Sequence, residues 1–329
     1  MSGLAAVDST VMDTRPTDTR PADARPTDTD DDPGGAATAA PAPVAVLGLG
    51  ALGATLARAF IRAGHPTTVW NRTPAKIRPL IDAGAVAPGS AAEAALAGDL
   101  VVVCVSTPED ARAVLEPVVA GRALAGRTVV NLGSGTPDDA RNLASWLADH
   151  GVEHLDGAAM SGTRAVGEPA ALFLYGGPAP VFDGARATLS ALGRAVHVGT
   201  DPGTSSLYDT ALLTVNLGLL VGFYHAAALV GAAGVDPVEL AAVATDHLPF
   251  AIGLIGEHAH QVRADRFPDH DGTLQVYAAA VDHVVETSRR LGLTTDLPEA
   301  VAALVRRAID AGHGTDGLAR LAATIGSAS

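Results

Sequence analysis

The segment from residue 44 to residue 64, VAVLGLGALGATLARAFIRAG, constrains the fold of this chain more than any other. An apolar run precedes three glycines in the pattern G-x-G-x-x-G, and a stretch with helical spacing follows them. In a strand–turn–helix unit these glycines permit a tight turn, close approach to a pyrophosphate and close helix packing. The helix N-terminus offers free N–H groups to phosphate. We predict a dinucleotide site formed by Gly48, Leu49, Gly50, Ala51, Leu52 and Gly53; a glycine-rich turn without a ligand is the alternative.

The end of the next strand, TTVW, indicates which dinucleotide binds. An NAD site usually carries Asp or Glu at this point to accept the ribose 2′-OH. Here the chain continues Asn71-Arg72-Thr73, with Lys76 one turn later. Arg72 can stack on adenine and bind a 2′-phosphate with two hydrogen bonds, whereas a carboxylate would repel it. We therefore predict NADPH; alternatively, Arg72 and Lys76 only open an exposed helix.

Further apolar runs, LVVVCVS, GRTVVNLGSG and VEHLDGAAM, alternate with helical stretches, which predicts a doubly wound α/β fold with a parallel sheet. Ligands of such sheets lie at the carboxyl ends of the strands. Thr136-Pro137 is typical of a helix start, with Thr as cap and Pro at the first helical position. We add to the predicted cofactor site Val105, Ser106, Thr107, Asn131 and Ser134.

Composition and charge narrow the classes of partner. Residues 1–42 are rich in Asp, Arg and Pro with little to bury, so we predict a disordered acidic tail. A net charge of −14 disfavours nucleic acid and anionic membrane surfaces. The only cysteine, Cys104, lies in an apolar run, which favours a reducing cytoplasm. No Cys or His cluster has zinc spacing, so we predict no metal.

The run from 211 to 234 is long enough to cross a bilayer. However, no Lys or Arg occurs between Arg194 and Arg263, so the basic flanks of a membrane span are missing. We prefer a core or interface helix and predict no membrane association.

From Val44 onward the chain resembles the imine reductases, a branch of the 3-hydroxyacid dehydrogenase superfamily. The matching stretches are GLGALG, VWNRTPAK, NLGSGTPDDAR, EPAALFLYGG, LYDTALL and AIDAGHGTDG. The resemblance implies NADPH-dependent reduction of cyclic imines, or of imines formed from a ketone and an amine. It also implies a Rossmann domain of six to eight strands at 43–200, and a helical domain at 201–329 that begins with an interdomain helix at about 204–233. In this family the helical domains are exchanged between the subunits of a homodimer.

Asp209 stands inside an apolar helical segment, where an unpaired charge is costly. The resemblance places it where hydroxyacid dehydrogenases carry a catalytic lysine. Lys76 is the only lysine in the chain, and it belongs to the cofactor edge. A carboxylate attracts an iminium cation and can donate a proton when its pKa is raised by burial. We predict Asp209 as the catalytic residue; a helix cap or local ion pair is the alternative.

The predicted substrate pocket consists of Tyr208, Leu213, Asn216, Ser161 and Gln275. Ser161-Gly162-Thr163 resembles the stretch that grips a substrate carboxylate in hydroxyacid dehydrogenases. Two other functions therefore stay open. One is a 3-hydroxyacid-type dehydrogenase with an atypical base in place of the lysine, and the other is a non-catalytic NADPH-binding protein.

Overall fold

The computed structural model describes residues 40–121, 124 and 126–326. All but the last three residues of the tail predicted at 1–42 lie outside this part of the chain, so the predicted disorder concerns residues that are not described. The chain divides into two units, Met1–Ala40 and Pro41–Ser329. The elements below all belong to the second unit.

In the described residues, seven strands form one sheet in the order β2-β1-β3-β4-β5-β6-β7. Strands β1 to β5 are parallel, and the middle strands are buried on both faces because helices cover both. The strands are β1 Val44–Leu47, β2 Thr67–Trp70, β3 Leu100–Val103, β4 Thr128–Asn131, β5 Glu153–Ala159, β6 Leu172–Gly176 and β7 Arg194–Gly199.

The direction of the last two strands differs from the wholly parallel sheet predicted from the sequence. β6 pairs with β5 in antiparallel register, and β7 is parallel to β6. Only a loop with one 3₁₀ turn, Thr163–Ala165, connects β5 to β6. A parallel connection needs a longer crossover, usually a helix, so this short link returns the chain in the opposite direction.

Six helices belong to this α/β part of the described chain. One apolar cluster packs α1 and α6 on one face of the sheet, and a second packs α3, α4 and α5 on the other. The predicted start of α5 is confirmed: Thr136 and Asp139 form a reciprocal cap, with Pro137 at the first helical position. The helices are α1 Ala51–Arg62, α2 Arg78–Ile81, α3 Ala91–Leu96, α4 Pro108–Ala120, α5 Pro137–Ala148 and α6 Ala179–Leu189.

The remaining described chain is helical and has only a small core of its own, around Leu274, Val305 and Ala308. Its first helix has 30 residues, of which only three in the first turn are buried. The helices are α7 Gly203–Ala232, α8 Pro237–Ala264, α9 Leu274–Arg290, α10 Asp296–Ala308 and α11 Arg320–Gly326, with a π-helical turn at Ile309–His313.

Helices α7 and α8 expose many apolar side chains, including Leu217, Leu220 and Ile255. Both are long and apolar enough to cross a membrane, by length and composition alone. The same properties suit a helix that a second protein chain covers, so length and composition do not distinguish the two.

A histidine lies fully inside the sheet. His154 of β5 is 5% exposed and pairs in register with Val129 of β4. Neither ring nitrogen has a hydrogen-bond partner among the described residues. Burial without a partner lowers the pKa of His154 from 6.5 to about 3, so the folded chain holds it neutral.

This histidine predicts an acid-sensitive fold. Below pH 6.5 the unfolded chain binds a proton at His154 that the folded chain does not, so stability falls as the pH drops toward 3. For this one group the loss at pH 5 is about 2 kcal/mol. Replacing His154 with Leu should therefore raise the free energy of unfolding at pH 5, relative to wild type, by about 2 kcal/mol more than at pH 7.5.

Urea unfolding at the two pH values measures this difference. His150→Leu is the matched control, because it replaces a histidine that is exposed just after α5 rather than buried in the sheet. An equal effect of His154→Leu at both pH values would contradict the assignment.

Candidate functional site

A cleft of about 520 Å³ opens at the carboxyl ends of β1, β2 and β3. Nine of the fifteen predicted cofactor residues line it. From the glycine turn come Gly48, Leu49 and Gly50; after β2 come Asn71, Arg72, Thr73 and Lys76; and after β3 come Val105 and Ser106.

The glycines are required by the turn between β1 and α1. Gly48 has φ +100°, and a Cβ there would lie 2.3 Å from the carbonyl oxygen of Cys104. A Cβ on Gly53 would lie 2.0 Å from the Gly48 oxygen. Helix α1 can therefore pack this closely on the strand only if positions 48 and 53 carry no side chain. Next to Gly50, by contrast, there is open space, and the α1 N-terminus has no side-chain cap. The Gly53 N–H contacts the Cys104 thiol, so the N–H groups of Ala51 and Leu52 are the ones that this N-terminus offers to phosphate.

Asn71 joins the two sides of this cleft. Its Oδ1 accepts a hydrogen bond from the Leu49 N–H at 2.9 Å, and its Nδ2 donates to the Thr73 oxygen at 3.1 Å. Arg72 is 87% exposed, and its nearest charged partner is Asp110 of α4, at 3.8 Å. A guanidinium held this loosely can turn to a ligand phosphate. The residues at the cleft therefore fit a dinucleotide with a 2′-phosphate.

The remaining predicted cofactor residues have other surroundings. Ala51 and Leu52 begin α1, and Gly53 lies behind the turn. The Thr107 hydroxyl caps α4 by accepting the Asp110 N–H at 3.1 Å. Thr107, Asn131 and Ser134 line a second, narrow pocket between the end of β4, the middle of β5 and the starts of α5 and α7.

Asp209 lies in α7, one turn beyond this second pocket, and is half-buried. Among the described residues, no hydrogen bond or ion pair reaches its carboxyl group, so it neither caps the helix nor forms a local ion pair there. Burial raises its pKa above the ordinary value for an aspartate. A carboxyl group that neither caps a helix nor pairs with a cation is available to a substrate.

The other predicted pocket residues are not assembled around Asp209 within one chain. Leu213 and Asn216 follow it at i+4 and i+7, on the same helix face, and both are exposed, as is Tyr208. The Ser161 hydroxyl accepts the Leu172 N–H at 3.0 Å and so supports the start of β6. Gln275 packs beside Gly314, and within the described part of the chain it has no contact with Asp209.

One residue of this region was not predicted from the sequence. Asp156 of β5 lines the second pocket, and its carboxyl group accepts hydrogen bonds from Asn131, Ser205 and Ser206. The available signal was a charged residue in the apolar run VEHLDGAAM, the same signal that singled out Asp209. Among the described residues, no group of three or more His, Cys, Asp or Glu side chains could hold a metal ion.

Two family models match this chain. Residues 43–199 match the NAD binding domain of 6-phosphogluconate dehydrogenase, and residues 201–327 match the NADPH-dependent reductive aminase-like C-terminal domain. A curated relative, an NADPH-dependent reductive aminase from Aspergillus oryzae, is 31% identical over 84% of this chain and 95% of its own length.

Solved structures agree with these matches. An imine reductase from Myxococcus stipitatus in complex with NADP⁺ superposes with a TM-score of 0.81 at 32% identity, over 86% of this chain and 99% of its own. A reductive aminase from Aspergillus terreus, in complex with NADPH and ethyl levulinate, gives 0.80 at 32% identity, over 87% and 99%. The chain therefore belongs to the NADPH-dependent imine reductase and reductive aminase family, whose members are oxidoreductases acting on C=N bonds.

Proposed function

We propose that this protein reduces the C=N bond of a cyclic or ketone-derived imine to an amine, with Asp209 as proton donor or as the carboxylate that stabilises the iminium. The observation that carries the proposal is the unpaired, half-buried Asp209 on α7, with a raised pKa. NADPH would supply the hydride. Gly50 and the α1 N-terminus would hold its pyrophosphate, and Arg72 and Lys76 its 2′-phosphate.

Solved relatives support this choice of substrate class. The Aspergillus terreus reductive aminase is known in complex with cyclohexanone and allyl amine, a ketone and an amine. An imine reductase from the same organism is known with dibenz[c,e]azepine, a cyclic imine. We extend both substrate types to this chain on the strength of its family membership.

The charge at position 209 fits a cationic substrate. Hydride transfer to C=N proceeds most readily on the protonated iminium. At an effective dielectric constant of about 20, the electrostatic attraction between a carboxylate and an iminium about 4 Å apart is about 4 kcal/mol. An ammonium at the same place would repel the iminium by as much. Asp209 can serve by holding that cation or, in its protonated form, by donating the proton.

Replacing Arg72 with Ala should weaken NADPH binding far more than NADH binding. Loss of one charge-assisted phosphate contact costs about 1.5–3 kcal/mol, or about ten- to a hundredfold in affinity. Kinetics with both cofactors measures the change. The control is Arg78→Ala, which removes a nearby exposed arginine that pairs with Asp82 and does not line the cleft. Equal wild-type kinetics with NADPH and NADH would contradict the NADPH assignment.

Replacing Asp209 with Asn should lower the turnover of a simple cyclic imine, 1-pyrroline, by about 10²–10⁴-fold, because the charge and the donated proton are lost while the size is kept. NADPH affinity should be nearly unchanged, since the proposed cofactor contacts lie in the α/β part. Turnover, NADPH affinity and melting temperature are measured on the same sample. Asp183→Asn, which removes an exposed carboxylate from α6, is the control and should behave as wild type.

The pH profile separates the two roles of Asp209. A proton donor works in its protonated form, so turnover should fall as the pH rises through the raised pKa of Asp209. An anionic holder works ionised, so turnover should fall as the pH drops through that pKa. In Asp209→Asn the corresponding limb should vanish. Near-normal turnover of Asp209→Asn with a lowered melting temperature would show that Asp209 serves only to stabilise the helix. Oxidation of hydroxyacids by the wild-type protein, in place of imine reduction, would favour a dehydrogenase.

We also propose that the protein is a homodimer in which the exposed faces of α7 and α8 pack against the second chain. The support is the extent of apolar surface on these two helices. In such a homodimer the second chain would complete the site around Asp209, which one chain by itself does not enclose.

Light scattering at low micromolar concentration without detergent should give about twice the chain mass of 33.0 kDa. Leu220→Arg, on the exposed face of α7, should shift the protein toward monomers and reduce turnover. Ile81→Arg is a matched control, because both side chains are 45% exposed but Ile81 lies on α2. A stable, active wild-type monomer, or a protein that stays in solution only with detergent, would overturn the proposal.

A further inference from the structure

A carboxylate lines the cofactor cleft beside the residues proposed to bind the 2′-phosphate. Among the described residues that form the cleft, Asp110 of α4 is the only acidic one, and Arg72 and Lys76 are the basic ones. Asp110 Oδ1 lies 3.8 Å from Arg72 Nη1. Because a 2′-phosphate is itself negatively charged, a carboxylate at this place opposes its binding and calls for an explanation.

The topology of the sheet brings these two side chains together. Strand β1 lies between β2 and β3, so the loop after β2 and the start of α4 after β3 face each other across the glycine turn. Arg72 lies in that loop, and Asp110 lies in the first turn of α4. Their contact therefore spans the part of the cleft that a ligand beside Arg72 would occupy.

Helix capping does not account for this carboxylate. Helices α4 and α5 begin with the closely similar sequences TPED and TPDD. In α5 the Asp139 carboxyl group accepts the Thr136 N–H at 2.9 Å and closes a reciprocal cap. In α4 the Asp110 N–H donates to the Thr107 hydroxyl in the same way, but the described helix lacks the return hydrogen bond to the Asp110 carboxyl group. Asp110 is therefore directed to Arg72 instead of to the end of its own helix.

The ion pair also contributes little to the stability of the fold. The side chains of Arg72 and Asp110 are 87% and 40% exposed, and ion pairs between exposed groups are weak because water screens them. Such a pair exchanges readily, since a phosphate can bind a guanidinium with two charge-assisted hydrogen bonds. The main effect of the carboxylate is therefore on the binding of anions in the cleft.

We propose that Asp110 weakens the binding of NADPH and NADP⁺ by competing with the 2′-phosphate for Arg72 and by repelling the phosphate once it is bound. This inference rests on the proposed contact between Arg72 and the 2′-phosphate. NADP⁺ has to leave after each hydride transfer, and repulsion in the bound state speeds its dissociation. Asp110 thus sets the rate at which the cofactor is exchanged.

The first test measures the binding of adenosine 2′,5′-bisphosphate and of 5′-AMP to the full-length protein by calorimetry. The two ligands differ only in the 2′-phosphate, so the ratio of their affinities isolates its contribution. Asp110→Asn should raise the affinity for the bisphosphate by about three- to tenfold at low salt and leave that for 5′-AMP nearly unchanged. The gain should shrink in about 0.5 M salt, because the charges are exposed to screening.

Glu109→Gln is the matched control. Glu109 precedes Asp110 in the same first turn of α4, but it lines the groove beside Trp146 and not the cofactor cleft. Its loss removes an equal charge and should leave both affinities nearly unchanged. Asp110→Glu keeps the charge and should keep the ratio of the affinities close to that of the wild type. Equal gains in Glu109→Gln and Asp110→Asn would overturn the proposal, because they would show an effect of net charge alone.

The Arg72→Ala background separates competition from simple repulsion. In that background Asp110→Asn should raise the affinity for the bisphosphate by a smaller factor than in the wild type, because only the repulsion remains to be removed. Equal gains in both backgrounds would overturn the competition for Arg72. Unchanged or weaker bisphosphate binding in Asp110→Asn would overturn the whole proposal, and weaker binding would show that Asp110 holds Arg72 ready for the phosphate.

Failure of this inference is distinguishable from failure of the proposed cofactor contact. If Arg72→Ala leaves the ratio of the two affinities unchanged, Arg72 does not bind the 2′-phosphate, and both proposals are wrong. If Arg72→Ala lowers the ratio while Asp110→Asn leaves it unchanged, only the role of Asp110 is wrong. Stopped-flow measurement should show slower NADP⁺ dissociation from Asp110→Asn than from the wild type. Unchanged dissociation would overturn the role of Asp110 in cofactor exchange.

Discussion

The close packing of α1 on the glycine turn is the contact on which the cofactor cleft depends. The backbone oxygen of Gly48 lies where a Cβ of Gly53 would be, and Gly48 itself faces the carbonyl oxygen of Cys104. Any side chain at these two positions would push α1 away from β1 and β3. The free N–H groups at the α1 N-terminus would then no longer face the cleft, and Asn71 could not reach the Leu49 N–H. The geometry of the turn proposed to hold the pyrophosphate is therefore a consequence of backbone packing, whereas the proposed 2′-phosphate contacts are made by charged side chains.

Much of this arrangement could be predicted from the sequence because its causes are local. The glycines are set by a turn of a few residues, Arg72 by its place after a strand, and the cap at Thr136 by the adjacent Pro137. The reversed direction of β6 could not be predicted in this way, since it follows from a connection that lacks a crossover helix. Local sequence patterns indicate the secondary structure of each segment by itself. The direction of a strand also depends on whether the connection before it contains a crossover helix.

The same distinction explains the candidate catalytic region. Asp209 could be predicted from one helical segment and a resemblance. Asp156 could not, because its burial depends on Ser205, 49 residues later, docking on β5. Likewise, Asp110 lies in α4 whereas Arg72 lies in the loop after β2, and no local pattern in the sequence pairs them. Leu213 and Asn216 are exposed, and Gln275 has no contact with Asp209 among the described residues, so the predicted pocket is not enclosed by one chain.

The lack of basic residues around α7 links the architecture to the chemistry. Between Arg194 and Arg263 the chain carries no Lys or Arg, so most of the two longest helices contributes no fixed positive charge. Arg141, the arginine that packs against the start of α7, is held by Asp138 and Asp201. Among the described residues Asp209 is therefore left without a cation of its own, and its negative charge contributes to the raised pKa of the buried Asp156. An unpaired carboxyl group in this setting gains most from a ligand that brings a positive charge, and a protonated imine is such a ligand.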